Sequence, residues 1–216
     1  MGILQQIGLK YGTDKSLVHS FNGRSFLDVY ERYFEQYKNL NITLLELGIL
    51  NGGSLKTWEE YFINGNIVGL DIDPSKTIYN TERTKIFIGS QNNSQLINDI
   101  KKSYPSGFDI IIDDASHINQ LSFESFNLLY DSVKPGGFYV IEDTHCTYGD
   151  KWFNNFSNIV KDWPGMSYND SDVNFNNNRS DFDSFLSEKI EMLDKKKGNI
   201  FSIHIHSETI LIEKIR

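Results

Sequence analysis

The sequence predicts an α/β fold: a mostly parallel, seven-stranded sheet covered by helices, with an antiparallel hairpin at its C-terminal end. Three observations carry this. From Thr43 to Ile141, short apolar runs of strand length alternate with segments of helical period, the mark of repeated βαβ units. A glycine-bearing turn, Gly48 to Gly53, follows the first run and opens a helix, as at sites that hold ligands on a helix N-terminus. The last stretch, Ile200 to Ile215, splits into two alternating runs about Ser207-Glu208, which reads as a hairpin.

In chain order, Ile3 to Lys10 reads as a short helix ended by the turn Tyr11-Gly12-Thr13-Asp14-Lys15. Phe26 to Tyr37 places Phe26, Val29, Tyr30, Tyr33, Phe34 and Tyr37 on one helical face. Residues 1–40 thus form a helical N-terminal cap on a single domain spanning 1–216. Thr43 to Leu47 is the first strand, and a helix from Ser54, its expected N-cap, runs to Phe62. Asn66 to Ile72 and Lys85 to Ile88 are the next strands, Ser94 to Lys102 a helix, and Phe108 to Ile112 the fourth strand. Leu121 to Val133 reads as a helix stopped by Lys134-Pro135-Gly136-Gly137, and Phe138 to Ile141 as the fifth strand. Residues 148–180 are aromatic, Asn-rich and without period, an irregular insertion in the position of a substrate lid. Asp181 to Leu193 is a helix.

At 216 residues the chain suits one compact domain. A net charge of −8 disfavours a nucleic-acid substrate. The single cysteine, Cys146, excludes an intrachain disulfide and a Cys-rich zinc cluster, and no apolar run reaches the length of a membrane span. With no signal-like start, the expected location is the cytoplasm.

The chemistry concentrates at strand ends. FDIIIDDASH (Phe108 to His117) is an apolar strand ending in Asp113, Asp114 and, three residues on, His117; the next strand ends in Glu142-Asp143. Carboxylates delivered by neighbouring strands point to one site and a cation between them. After the first strand, glycines stand at 48, 52 and 53 without the G-x-G-x-x-G spacing of dinucleotide sites, which speaks against an NAD-dependent oxidoreductase. Glu46, on the strand itself, is unfavourable beside phosphates but suits a cationic ligand. Asp71, at the end of the second strand, suits two ribose hydroxyls. An adenosine carrying a sulfonium and an amino acid satisfies all three.

On Glu46-x-Gly48, Asp71 and Pro135-Gly136-Gly137 the sequence resembles the class I, Rossmann-like, S-adenosylmethionine-dependent methyltransferases. KYGTDK, LLELGI with GGSLKTWEEYF, GLDI, DDASH and VIEDTH together resemble the metal-dependent macrolide sugar O-methyltransferases, from about Leu9 to His145. The resemblance implies S-adenosyl-L-methionine and Mg²⁺ as cofactors, a sugar hydroxyl of a saccharide or glycosylated small molecule as acceptor, and a homodimer. It implies a cofactor end built from Glu46, Gly48, Gly52, Ser54, Asp71, Gln91 and Asp113. Asp114 and His117 are the expected catalytic pair, His117 as general base, with Asp114, Glu142 and Asp143 as metal ligands. Glu31, His19 and His145 are outside candidates, and Trp152, Phe153, Phe156 and Trp163 stack on sugar or serve the core. His204 and His206 read as structural. Transfer to a non-sugar hydroxyl, catechol-like or polyketide, is the alternative, as is a catalytically idle binding protein of the same fold. Without its partners, Asp113-Asp114 would read simply as a helix cap.

Overall fold

The computed structural model describes residues 1–17, 23, 25–148 and 177–216. One sheet organises them. Its strands are β1 (Thr43–Leu47), β2 (Asn66–Asp71), β3 (Thr84–Ile88), β4 (Phe108–Asp113), β5 (Val133–Ile141), β6 (Ile200–His206) and β7 (Thr209–Lys214), in the order β3-β2-β1-β4-β5-β7-β6. β1 to β5 pair in parallel, and β7 is antiparallel to both β5 and β6. This is the seven-stranded class I arrangement that the sequence predicts. The strand order turns back at β1, whose neighbours are β2 and β4, and the crevice at such a reversal is where open parallel sheets bind ligands.

Because parallel strands are buried on both faces, alternate residues feed two separate cores. Leu45, Leu47, Val68, Leu70, Ile111, Tyr139 and Ile141 meet α4 (Ser94–Ser103), α5 (Asn119–Leu129) and α6 (Arg179–Asp194), chiefly through Ile97, Ile100, Phe126, Leu129, Phe182 and Phe185. Leu44, Ile110, Ile112, Phe138, Val140 and Leu211 meet α1 (Ile3–Tyr11), α2 (Phe26–Phe34) and α3 (Gly53–Tyr61). On that side Trp58, Tyr30 and Phe34 are fully buried and their rings pack on one another. The N-terminal helices are therefore part of the core rather than an appendage.

Two expectations need correction. Ser54 is not the N-cap of α3: Gly52, at φ 70°, takes that place and Ser54 lies inside the first turn. A left-handed cap is cheap only for glycine, and it frees the Ser54 hydroxyl for another partner. Likewise Pro135-Gly136-Gly137 does not separate helix from strand. α5 ends at Leu129, a 3₁₀ turn covers Tyr130–Ser132, and β5 already starts at Val133. The three residues lie in a bulge, where pairing jumps from Phe108–Val133 to Ile110–Phe138. A Cβ on Gly137 would stand 2.5 Å from the Asp109 carbonyl, so glycine lets the two strands close up.

Smaller differences concern short helices. The Phe26 to Tyr37 pattern is α-helical to Phe34 and 3₁₀ from Glu35 to Tyr37. Two further 3₁₀ segments, Pro74–Tyr79 and Thr144–Tyr148, carry no periodic signal because they are one to two turns long. His19 and the aromatics Trp152, Phe153, Phe156 and Trp163 lie outside the described residues, as does nearly all of the 148–180 stretch.

Candidate active site

The sheet brings four strand ends to one crevice. β1 contributes Glu46 and Gly48, β2 Asp71, β4 Asp113 and Asp114, and β5 Glu142 and Asp143. Gly48, at φ 92°, allows the approach: a Cβ there would stand 2.1 Å from the Asp114 carbonyl oxygen. The turn is tied in place by Gly48 N–H to Leu70 O at 2.8 Å and Asp114 N–H to Leu47 O at 3.0 Å.

The cofactor end is acidic. Asp71 accepts backbone N–H groups from Ile49 (2.6 Å) and Asp73 (2.8 Å), which lock the turn after β1 to the end of β2. Both oxygens retain lone pairs for a hydroxyl donor. Glu46 is fully buried; Ser54 Oγ donates to its Oε2 at 2.8 Å, while Oε1 accepts no hydrogen bond and lies 3.4 Å from Lys15 Nζ. Burial drives its carboxyl up to about 7, against the pull of Lys15. Gly52 faces Tyr79, whose ring a Cβ would strike at 2.5 Å. Gln91 and Asp113 are joined to each other: Gln91 Nε2 donates to Asp113 Oδ1 at 3.1 Å and its Oε1 accepts from Ser116 N at 3.1 Å. Both are buried, and burial pushes Asp113 up to about 7. This pair braces the loop after β3 to the loop after β4.

The second half of the site is a cluster of Asp114, His117 and Asp143, whose ligand-type atoms all lie within 4.8 Å of one another. His117 Nε2 stands 3.4 Å from Asp143 Oδ2. Their side chains are 17 % (Asp114), 13 % (His117) and 25 % (Asp143) exposed, open enough for an ion or substrate to enter. His117 and Asp143 both have positive φ, 55° and 53°. Non-glycine residues held in that region cost about 1–3 kcal/mol each and tend to gather where function fixes them.

Glu142 lies on the Lys15 side of Asp114, outside that cluster. It is 3 % exposed; Tyr30 OH donates to Oε1 at 2.6 Å and Lys15 Nζ to Oε2 at 2.8 Å. Lys15, which sequence reasoning did not single out, is 2 % exposed and also contacts Asp114 Oδ2. Burial opposes its charge, but Asp114, Glu142 and Glu46 outweigh it and hold the ammonium well above its usual pKa. Three acids share that one ammonium, so burial and repulsion from Asp114 push Glu142 upward. The available signal was KYGTDK itself, a charged turn at the start of the resemblance. Among the outside candidates, Glu31 Oε1 accepts from Leu4 N at 3.1 Å at the start of α1, and His145 Nδ1 stands 3.8 Å from Asp143 Oδ1. His206 meets Tyr33 OH at 2.8 Å and His204 meets Ser202 Oγ at 2.8 Å, both packing contacts on β6.

The donor set fits the groups the sequence implies. Carboxylate oxygens with room for water suit Mg²⁺, and a buried acid facing a glycine turn suits a cationic ligand better than a phosphate chain.

No family model matches the chain. It is 37% identical over 154 residues to demethylmacrocin O-methyltransferase of Streptomyces fradiae, covering 68% of this chain and 35% of that protein. Mycinamicin VI 2''-O-methyltransferase of Micromonospora griseorubida is also 37% identical, over 153 residues, 67% of this chain and 37% of its own. The solved MycE methyltransferase in complex with Mg, SAH and mycinamycin VI superposes over 100% of this chain and 55% of its own, with a TM-score of 0.75 at 29% identity. The chain thus spans little more than a third of the length of the curated relatives it matches. Among the described residues no helix is long and apolar enough to cross a membrane. In its sheet order and along two-thirds of its sequence, the chain is a class I methyltransferase-fold protein homologous to the macrolide sugar O-methyltransferases.

Proposed function

We propose that the chain is an S-adenosylmethionine-dependent, Mg²⁺-assisted O-methyltransferase whose acceptor is a sugar hydroxyl of a saccharide or glycosylated small molecule. The observation that carries this reading is the Asp114–His117–Asp143 cluster opening beside the acids of β1 and β2 at the sheet reversal. The relatives and the MycE complex support the choice of cofactors and of acceptor class.

Bound S-adenosylmethionine supplies a methyl group on a sulfonium, transferred in line to an attacking oxygen. In this assignment Asp71 accepts the ribose hydroxyls, and the Glu46 carboxylate sets a negative field at the turn Gly48 to Ser54. Asp114 and Asp143 are the residues that would hold Mg²⁺. A bound divalent cation lowers the pKa of a hydroxyl it coordinates. His117 takes the hydroxyl proton at Nε2, the role of a general base within reach of the acceptor hydroxyl. Asp143 Oδ2, 3.4 Å from Nε2, stabilises the imidazolium that results.

The test joins binding to turnover. S-adenosylhomocysteine at about 100 times its Kd is expected to raise the unfolding free energy by about 2.7 kcal/mol, whereas NAD leaves the melting temperature unchanged. A methyl-transfer screen against nucleotide sugars and free glycosides should give Mg²⁺-dependent product. Asp114→Ala and Asp143→Ala should abolish that product and keep S-adenosylhomocysteine binding. Absence of any response to S-adenosylhomocysteine overturns the cofactor assignment; wild-type turnover after chelation overturns the metal.

A further inference from the structure

Lys15 has no part in the mechanism above, yet it is the most deeply placed cation of the site. It comes from the loop after α1 and touches three strand ends at once: Glu46 on β1 (3.4 Å), Asp114 after β4, and Glu142 after β5 (2.8 Å). Its side chain is 1 % exposed, as is that of Glu142, while Glu46 is fully sealed and Asp114 is not. The acids therefore divide into an inner pair, closed from solvent, and an outer pair, Asp114 and Asp143, beside His117. Asp114, through its contact with Lys15, is the link between them.

We propose that Lys15 is a positioning residue for the cation site: its ammonium fixes the carboxylate of Asp114 so that it is presented to Asp143 and His117. The inference rests on the metal reading of that cluster. A loop aspartate carried by a short side chain has several rotamers, and a buried charged donor selects one of them. Tyr30 OH, donating to Glu142 at 2.6 Å, holds the opposite side of the inner pair, so the lysine itself has little freedom to drift. The N-terminal segment is by this route a functional part of the site.

Such a role can be separated from a merely electrostatic one. Lys15→Met alone makes the pocket more negative, which on charge alone would tighten binding of a divalent cation. At pH 8, above the range in which Glu46 titrates, Lys15→Met combined with Glu46→Gln restores the wild-type formal charge, which on charge alone would leave binding unchanged. Positioning predicts weaker binding in both, by about 10- to 100-fold, the usual loss when a residue orienting a ligand is removed. The readout is Mn²⁺ affinity, measured on the full chain from the paramagnetic resonance signal of the free ion, with circular dichroism melts to verify folding. Mn²⁺ affinity within about threefold of wild type in the charge-balanced variant overturns the proposal, and so does failure of both variants to fold, which would make Lys15 purely structural. Wild-type protein that binds no Mn²⁺ overturns the metal reading beneath it, a result distinct from any change in the variants.

Discussion

Glu46 is an acid inside a strand, and burial outweighs the pull of Lys15, raising its carboxyl to about 7. An unfolded glutamate titrates near 4.3, so between those values the folded chain binds the extra proton. Stability contributed by Glu46 is therefore full below about 4.3 and is lost as the pH rises through about 7. Glu46→Gln removes that titration, keeps an oxygen for the Ser54 hydroxyl, and leaves Lys15 with two carboxylates. Relative to wild type, the variant is expected to gain about 1–3 kcal/mol between pH 5 and pH 8, measured by urea unfolding of the ligand-free proteins. A difference that does not change with pH would mean that Glu46 titrates like an exposed acid. The acids of this site were legible because each one interrupts or ends an apolar run, where a charge has no packing reason to be. Lys15 was not, because its loop has no period and the three acids its ammonium contacts stand at least 31 positions away. Nor did the sequence distinguish Glu142 from Asp143: they are adjacent, and only the fold gives Glu142 to Lys15 and Tyr30 and Asp143 to His117.

Helix α3 shows how local chemistry fixes an element that faces the site. Its start is set by Gly52 and its end by a residue from elsewhere, Arg83, just before β3. The Arg83 guanidinium donates to the carbonyls of Phe62 (2.9 Å) and Gly65 (2.8 Å) and also to that of Glu59. The Glu59 carbonyl is one that the helix end leaves without an intrahelical partner, and a planar guanidinium can satisfy it together with the two carbonyls of the turn that follows. Arg83→Met should cost about 1–3 kcal/mol by thermal or urea unfolding, the range for partly buried acceptors left unsatisfied by a charged donor. S-adenosylhomocysteine affinity should not change, since Arg83 stands at the end of α3 away from the glycine turn; a matching loss of affinity would show that the helix transmits the defect. Element type was readable from period, and boundaries were readable where a break is local. Gly107 and Gly198, both at positive φ, mark such breaks. The start of β5 was not, because Pro-Gly-Gly is the usual wording of a stop and only the facing Asp109 carbonyl shows that it is a bulge.

At the scale of the whole molecule, the side of the parallel strands that borders the site is the one most in need of cover. β1 to β5 form the parallel half, and without further strands β5 would present open N–H and C=O groups next to Asp143. The hairpin closes it: Tyr139 pairs with Ile212 and Ile141 with Ile210, and Thr209 Oγ1 donates to the Ile141 carbonyl at 3.1 Å. The turn also reaches the site, since Thr144 N–H bonds to Glu208 O at 3.0 Å, which pins the backbone following Asp143. Ile210, Leu211 and Ile212 are all essentially buried and feed both cores, so β7 supports the two helical layers together. Alternation about Ser207-Glu208 made the hairpin readable, but its neighbour in the sheet was not, because pairing across about seventy residues leaves no local pattern. Removing residues 199–216 leaves every proposed ligand and base in place. It should nevertheless eliminate cooperative unfolding and S-adenosylhomocysteine binding, because losing several fully buried aliphatic side chains, at about 2–5 kcal/mol each, exceeds the stability of an ordinary domain. Calorimetry of the truncated chain against the full one decides it. A cooperative melt within a few degrees of the full chain would mean that the five parallel strands hold the site unaided.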